Sequence, residues 1–324
     1  MKRVLITGAN GFIGQAMCNH LLAQEWQVLG AIRRSDSRCD LPKGTLACVV
    51  GEIGPHTHWD RFLRNVDTVI HLAARVHHPE DKSQAIVKKY HETNTIGTGR
   101  LLKAAINSKV RRFIFVSSVK VNGEGRDRPY RENDPPAPVD AYGTTKADAE
   151  NLVNFSWKKA KIETTILRPP LVYGKGVRAN FLQLMKLVEK GMPMPFAAID
   201  SQRSFIYLEN LIHAIDTCIS HRHAVGKTFL VCDDETMAIP DLIGRLSRAM
   251  GKQARLFAVP KGLLSLLERV PGAGSSISKV NRALIVDNNK IREELGWNPL
   301  YSVDEGIRET VKWYLGHASY GCDR

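Results

Sequence analysis

A short apolar run near the amino terminus leads directly into three glycines spaced three residues apart. Residues 4–7 read VLIT, and the overlapping segment TGANGFIG places Gly8, Gly11 and Gly14 where a helix is predicted to begin. Glycines at a strand-to-helix turn let the backbone approach a pyrophosphate, whose charge the helix amino terminus favours. Any tight turn of this kind favours glycine, but the order strand, turn, helix predicts a dinucleotide-binding site.

Strand-like and helical patterns alternate along the first half of the chain. The strand-like runs are at 4–7, 28–32, 67–74, 112–118 and 163–168, and the helical patterns are at 14–24, 88–107 and 141–160. Nearly continuous apolar strands of this kind predict a parallel sheet covered on both faces, which is an α/β, doubly wound (Rossmann) fold.

The pattern loosens after Pro170, where a strand at 228–232 and helices at 239–250 and 303–316 are predicted. We therefore expect two parts. Residues 1–170 would bind the dinucleotide, and residues 171–324 would form a smaller α/β part that binds substrate. The chain is free to cross back between them.

The cysteines and the lengths of the apolar runs indicate in which compartment the protein works. The six cysteines are far apart and form no Cys-x-x-Cys pair, which fits a reducing compartment and predicts neither a disulfide scaffold nor a metal site. No run reaches the ~18 apolar residues of a membrane span. We therefore expect a cytoplasmic protein with no transmembrane segment.

The formal net charge of +13 raises the possibility of a nucleic-acid partner. However, the densest basic patches, at 109–112 and 158–161, are short and have no interleaved aromatic residues. A solvated surface is the better interpretation, so we expect no nucleic-acid binding. A positive field would also attract an anionic small substrate.

Tyr142 and Lys146 lie four residues apart in the segment VDAYGTTKAD, at the start of a predicted helix. Residues at i and i+4 share a helix face. A phenol ionises near pH 10, and a cation a few ångströms away stabilises the phenolate and lowers its pKa. The pair could therefore transfer protons, although Tyr-x-x-x-Lys also occurs by chance on many helices.

Four motifs in order resemble those of the extended short-chain dehydrogenases/reductases (the NAD-dependent epimerase/dehydratase family), which act on nucleotide sugars. They are TGxxGxxG, VIHLAA, the serine pair at 117–118 and YxxxK. The segments FVSSVKVNGE, LRPPLVYGKGVRANFLQL and QRSFIYLENL further resemble bacterial enzymes of surface-polysaccharide (lipopolysaccharide O-antigen) biosynthesis. Those enzymes reduce or epimerise C4 of UDP-N-acetylhexosamines.

The resemblance implies a catalytic role for three residues. Tyr142 would pass a proton to or from the sugar oxygen, and Lys146 would hold the nicotinamide ribose and lower the tyrosine pKa. Ser118 would bind the same sugar oxygen. Its neighbour Ser117 is the alternative, and counting back from the Asn-Gly pair at 122–123 favours Ser118. Serines at a strand end can also simply satisfy backbone groups.

The resemblance also implies cofactor contacts. Besides Tyr142 and Lys146 they are Gly8, Gly11, Phe12, Ile13, Gly14, Glu52, Ile53, Leu72, Ala73, Ala74, Asn94 and Pro169. NAD-preferring members usually have an acid at the end of the second strand, but this chain has Arg33 and Arg34 there. Two arginines could bind a ribose 2′-phosphate, which favours NADP(H) slightly over NAD(H). The alternative is that they are two surface arginines.

A second departure from the family concerns elimination chemistry. The family's 4,6-dehydratases have an Asp-Glu pair directly after the hydroxyl residue, whereas this chain has Val119 and Lys120. Without paired carboxylates, no acid and base are positioned to remove water. On the substrate side, Asn180, Arg203 and Arg282 match positions that hold the diphosphate in relatives. Asn180 has the alternative role of a helix cap.

We therefore expect NAD(P)H-dependent reduction of the C4 keto group of a UDP-4-keto-6-deoxy-N-acetylhexosamine. The alternative is a UDP-glucose or UDP-N-acetylglucosamine 4-epimerase with tightly bound NAD. A nonenzymatic sensor of the same fold would commonly lack the tyrosine or the lysine. The family's pairing through the Tyr142 helix and the helix before it predicts a homodimer.

Overall fold

The computed structural model describes residues 2–76, 83–126, 128–160, 162–259 and 282–318. In chain order, the strands are β1 (Arg3–Thr7), β2 (Gln27–Ile32), β3 (Leu46–Val49), β4 (Thr68–His71), β5 (Arg112–Val116), β6 (Glu163–Arg168), β7 (Leu171–Tyr173), β8 (Arg203–Tyr207), β9 (Lys227–Leu230) and β10 (Thr236–Met237). The helices are α1 (Phe12–Ala23), α2 (Gln84–Tyr90), α3 (Gly97–Asn107), α4 (Ala141–Ala160), α5 (Ala179–Glu189), α6 (Leu208–Ser220), α7 (Ile239–Ala249), α8 (Asn289–Leu295) and α9 (Val303–Ala318).

Seven parallel strands form the main sheet, in the order β3-β2-β1-β4-β5-β6-β9. Side chains alternate between its faces, as the strand period requires. On β1, Val4 and Ile6 join a core that includes residues of α1 and α6, whereas Leu5 joins one that includes residues of α3 and α4. Both faces are therefore covered, which confirms the predicted doubly wound α/β fold.

The second part contains a three-stranded sheet in the order β10-β8-β7, where β7 and β8 are parallel and β8 and β10 antiparallel. Residues of α5, α7 and α9 pack with it in a separate hydrophobic core. The chain crosses back between the two parts, because β9 pairs with β6 at the edge of the main sheet. The boundary at residue 170 stays a proposal.

Asp233 connects the strand-β9 region to the second part. Its buried carboxylate accepts hydrogen bonds from the Tyr173 hydroxyl (2.9 Å), the Tyr207 backbone N–H (3.0 Å) and the Asn210 amide (2.7 Å). Burial raises the pKa of Asp233 to about 6. These bonds link the ends of β7 and β8 to the segment that follows β9 and so help to fix the second part against the main sheet.

The predicted strands and helices all form, with changed ends. The predicted strand at 67–74 is shortened to β4, which ends at His71, and the run at 112–118 is shortened to β5, which ends at Val116. The predicted helix at 88–107 begins earlier, as α2, and continues through a π-helical segment (His91–Ile96) into α3. Strands β3, β7, β8 and β10 and helices α5, α6 and α8 were not predicted. In the described ranges, no helix is both long and apolar enough to cross a membrane.

Candidate functional site

The glycine turn after β1 has the geometry that a pyrophosphate site requires. Gly8 has φ +69°, and a Cβ there would lie 3.1 Å from the backbone of Ala73. A Cβ on Gly14 would lie 2.0 Å from the Gly8 carbonyl oxygen. Gly11 caps α1 without a side chain and donates its N–H to the Gly8 carbonyl (2.9 Å). The free backbone N–H groups that begin α1, at Phe12 and Ile13, fit an anionic diphosphate.

A buried network that the sequence did not predict supports this turn. The Thr98 hydroxyl donates to the Asn94 carbonyl (2.6 Å), so it accepts from Nε2–H of His71 (2.9 Å). Nδ1 of His71 then accepts from the Thr7 hydroxyl (2.6 Å), which itself accepts from the N–H groups of Leu72 and Ala73 (3.1 Å each). Burial, with a smaller effect of Lys146, lowers the pKa of His71 to about 3, so the ring is neutral.

Asn94 lies in the π-helical segment and is buried. Its Oδ1 accepts from the N–H of Arg75 (2.8 Å), and its Nδ2 donates to the Arg75 carbonyl and the Thr145 hydroxyl (3.1 Å each). It therefore joins the segment after β4 to α4, one residue before Lys146. The side-chain amide of Asn94 forms these hydrogen bonds with other residues of the protein. The contact with cofactor that the resemblance implies for Asn94 therefore stays a prediction.

The other predicted cofactor positions lie along the same edge of the main sheet. Leu72, Ala73 and Ala74 follow β4, and the carbonyl of Pro169, after β6, accepts from the N–H of Val119 (3.0 Å). The Ile53 side chain packs so closely against Gly97 that a Cβ on that glycine would lie 2.6 Å from it. Glu52 is exposed. These positions follow β3, β4 and β6, at the carboxyl edge of the parallel sheet, where α/β sheets bind ligands.

Arg33 and Arg34 directly follow β2 and are both exposed. Arg34 forms an ion pair with Asp36 (3.2 Å) in which both side chains are mostly exposed. A pair of this kind is weak, so both arginines remain available to a ligand at the end of β2.

Tyr142 lies in the first turn of α4, which Asp140 caps. The Asp140 carboxylate accepts from the Gly143 N–H (2.7 Å). Ser118 lies beside Tyr142 and begins the 3₁₀ turn Val119–Val121. Burial and the Asp140 charge raise the pKa of Tyr142 to about 12, and the Ser118 hydrogen bond acts in the opposite direction.

The structure distinguishes the two serines that the sequence left open. Ser118 lies close enough to Tyr142 to lower its pKa, whereas the Ser117 hydroxyl is buried and finds no hydrogen-bond partner within the described ranges. The geometry therefore favours Ser118 as the partner of Tyr142.

Lys146 is 2% exposed and lies one helical turn after Tyr142. Its ammonium donates to the Val116 carbonyl (2.7 Å) and lies 4.0 Å from the centroid of the Phe115 ring. Burial lowers the pKa of Lys146 to about 7, and the Glu150 charge partly offsets this. Glu150 is itself paired with Arg168 (2.9 and 2.5 Å), which also donates to the Asn122 amide oxygen (3.1 Å).

A second lysine, Lys120, lies near Tyr142. The sequence draws attention to it only because the family's dehydratases have an acidic pair at this position. The Lys120 ammonium contacts the Asp140 carboxylate (3.2 Å) and forms a short ion pair with Glu124. Its backbone N–H donates to the Ser118 hydroxyl oxygen (3.2 Å). A lysine therefore lies where a dehydratase would have an acid.

Two of the three predicted substrate residues come together. Arg203 begins β8, and its Nη1 donates to the Arg282 carbonyl (2.5 Å). Burial lowers the pKa of Arg203, and the nearby Glu124 charge offsets part of that effect. The Arg282 side chain lies against Gly125, where a Cβ would be 3.3 Å away. Asn180, in contrast, is exposed in the first turn of α5, whose cap residue is Arg178.

The described residues contain no cluster of three or more His, Cys, Asp or Glu side chains suited to a metal ion. The five cysteines described are all free thiols.

Comparison with known proteins identifies the family. Residues 4–232 match the model of the NAD dependent epimerase/dehydratase family. The chain is 37% identical over 318 residues to a UDP-glucose 4-epimerase of Vibrio cholerae, covering 97% of this chain and 96% of that protein. It is 26% identical over 329 residues to N-acetyl-alpha-D-glucosaminyl-diphospho-ditrans,octacis-undecaprenol 4-epimerase of Escherichia coli O157:H7, covering 97% and 96%.

Among solved structures, one similar to this chain is the UDP-glucuronic acid 4-epimerase of Bacillus cereus in complex with UDP-glucuronic acid and NAD. It has 25% sequence identity and a TM-score of 0.80, with 97% of this chain and 99% of that chain covered. The match to the family model and the similarity over nearly the full length agree with the four sequence motifs: the chain belongs to the NAD dependent epimerase/dehydratase family.

Proposed function

We propose that this protein is a UDP-sugar 4-epimerase. The observation that carries the proposal is the 37% identity, over 97% of the chain, to a UDP-glucose 4-epimerase. The sequence alone favoured a 4-ketoreductase with the epimerase as the alternative, and the relatives support the alternative better. Both reactions use the same Ser118, Tyr142 and Lys146 set, so the site geometry alone does not separate them.

The family resemblance supplies the roles that we propose for the three residues. Tyr142 exchanges a proton with the C4 oxygen of the sugar, and Ser118 binds that oxygen beside it. Lys146 holds the cofactor ribose and stabilises the tyrosinate once its ammonium is near the phenol. The nicotinamide supplies the chemistry of taking up and returning the hydride at C4. Epimerisation would require the bound 4-keto sugar to present its opposite face to the nicotinamide between the two steps.

The glycine turn and the amino terminus of α1 would hold the cofactor diphosphate, through Gly8, Gly11, Phe12, Ile13 and Gly14. We propose NAD as the cofactor, since the similar 4-epimerase structure contains NAD. Arg33 and Arg34 still predict some affinity for the 2′-phosphate of NADP, and a competition assay between the two nucleotides measures it.

The substrate diphosphate would lie near Arg203 and Arg282. An arginine suits this role because its planar donors reach two phosphate oxygens at once. Asn180 at the start of α5 is our third candidate for this contact.

The protein's handling of its cofactor tests the proposal. We expect purified protein to release a stoichiometric nicotinamide nucleotide only after denaturation. We also expect it to interconvert UDP-glucose and UDP-galactose, or the corresponding N-acetylhexosamines, with no cofactor added. Stoichiometric consumption of NADPH with a UDP-4-keto-6-deoxy-N-acetylhexosamine, and no epimerisation, would instead support the reductase.

We also propose a homodimer formed by α3 and α4. Phe155 and Leu152 on α4 are 61% and 36% exposed. Gly99 on α3 lies against Leu152, where a Cβ would be 3.3 Å away. Large apolar side chains left exposed on α4, beside α3, favour a partner surface. Light scattering at micromolar concentration should show twice the chain mass, and a monomer would contradict this. The cytoplasmic location stays a prediction.

A further inference from the structure

Lys120 occupies an unusual position for a lysine in this site. It lies two residues after Ser118, and its side chain is 26% exposed. Its ammonium contacts two carboxylates, those of Glu124 (6% exposed) and Asp140 (21% exposed). Glu124 is four residues further along the chain, whereas Asp140 is twenty residues away and caps the helix that carries Tyr142. The lysine therefore joins two separate segments of the site.

Asp140 is the charged group with the clearest effect on Tyr142. Its carboxylate raises the pKa of Tyr142, whereas the Ser118 hydrogen bond lowers it. Other charged groups in the same region are Lys146 on α4, Lys120 and Glu124 after β5, and Arg203 on β8, which interacts with Glu124. Of these, Lys120 contacts Asp140 directly.

We propose that Lys120 is a positioning residue for Tyr142, acting through Asp140. By bridging Asp140 and Glu124, it holds the turn that carries Ser118 against the first turn of α4. It also neutralises the carboxylate that would otherwise disfavour the tyrosinate. This inference rests on the proposed proton-transfer role of Tyr142.

The geometry supports both parts of this role. The Lys120 backbone N–H donates to Ser118 (3.2 Å) while its ammonium contacts Asp140 (3.2 Å), so one residue touches the partners of Tyr142 on both segments. A cation within about 4 Å of a carboxylate reduces the field that carboxylate exerts on its neighbours. Removing the cation should leave the full Asp140 charge two residues from Tyr142.

The ionisation of Tyr142 tests this directly, and it does not require turnover. A fluorinated tyrosine at position 142, whose phenol ionises at lower pH, reports its titration by ¹⁹F NMR in the full chain. We expect Lys120→Met to move the midpoint upward by about one pH unit. Lys120→Arg should keep the original midpoint. Asp140→Asn, which preserves a helix-capping side chain, should move the midpoint downward.

A double-variant cycle assigns the effect to Asp140. If Lys120 acts through that carboxylate, Lys120→Met should have little effect on the midpoint in the Asp140→Asn background. An unchanged midpoint in Lys120→Met, or an equal shift with and without Asp140, would overturn the inference. Should Lys120→Met fail to fold, Lys120→Gln and the Asp140→Asn arm give the same comparison.

Kinetics provide the second measurement. With the natural tyrosine, Lys120→Met should lower kcat at neutral pH about 10-fold with little change in KM, because a one-unit shift changes the ionised fraction by that factor. Lys120→Arg, which keeps the positive charge, should have a kcat close to that of the wild type. If the protein turns over no UDP-sugar, the proposed function fails but the NMR titration still decides the role of Lys120. If turnover is normal and the midpoint does not move, only this inference fails.

Discussion

Two lysines near Tyr142 lie in contrasting surroundings. Lys146 is buried between α4 and β5, where its ammonium bonds to a backbone carbonyl and a phenylalanine ring. Glu150, the carboxylate whose charge acts on Lys146, is already paired with Arg168. Lys120 is partly exposed and has two carboxylates of its own. A buried lysine without its own anion loses its proton easily, and Lys146 accordingly has a pKa of about 7. Its charge is therefore conditional on what binds beside it.

The comparison separates two functions within one site. The buried region around Lys146 is suited to respond to a bound ligand, because a hydrogen-bond acceptor there would restore the lysine charge. The partly exposed region around Lys120 is suited to hold fixed positions, because its charges already compensate one another. The predictions below test each region, beginning with the residue that both regions serve.

The largest effect should come from Tyr142→Phe. This change removes the proton that is exchanged with the sugar but little contact surface, so turnover should fall about 100-fold to 10,000-fold. Cofactor content should remain near that of the wild type. Steady-state kinetics and the nucleotide released on denaturation measure the two quantities. Full activity in this variant would show that neither lysine serves a catalytic tyrosine.

Substitutions of two glutamates compare how much an ion pair in each region contributes to the free energy of unfolding. Glu150→Gln leaves the buried guanidinium of Arg168 without its anion, which should cost about 3 to 5 kcal/mol in free energy of unfolding. Glu124→Gln weakens a pair whose lysine is partly exposed, so solvent screening should limit the cost to about 1 kcal/mol. Denaturant titrations of the two variants give both values. Equal losses of unfolding free energy in the two variants would contradict the expected difference in solvent screening between the two ion pairs.

The smallest effect concerns protons taken up when cofactor binds. Hydrogen bonds from Lys146 to ribose hydroxyls favour the charged lysine, so binding should raise its pKa from about 7. Between pH 7 and 8, binding should then take up a fraction of a proton, and affinity should decrease as pH rises. Calorimetry in two buffers of different ionisation enthalpy measures the uptake in protein that has been unfolded to remove its nucleotide and then refolded.

Lys146→Met should abolish this uptake, whereas Lys158→Met should not, since Lys158 is exposed in the last turn of the same helix. Uptake that persists in Lys146→Met would assign the proton to another group and remove the basis for a conditional charge on Lys146.

The parts of the site that the sequence predicted are those set by local spacing. The glycine turn and the Tyr142–Lys146 pair follow from strand, turn and helix periodicity, and the family resemblance supplied Ser118, Arg203 and Arg282. Helix α6 could also have been predicted, because Leu208, Leu211, Ile212 and Ile215 are spaced for one buried face. Strands β3 and β10 are too short to show a strand-like hydrophobic pattern in the sequence.

Contacts between distant residues were not predictable in the same way. The Lys120–Asp140 bridge spans twenty residues, and the bonds of Asn94 and His71 depend on where separate elements pack. The low pKa of Lys146 depends on burial by α4 and β5, which local sequence does not specify. Such features require the fold before their chemistry can be deduced.

The fate of the C4 hydrogen tests the proposed 4-epimerase most directly. A UDP-hexose carrying deuterium at C4 is incubated with the protein and no added cofactor, and the product is analysed by mass spectrometry and NMR. We predict the C4 epimer with its deuterium retained at C4, because the hydride that leaves the sugar returns to the same bound sugar. Loss of deuterium from the epimer, or no epimer without added NAD(P)H, would contradict the proposal.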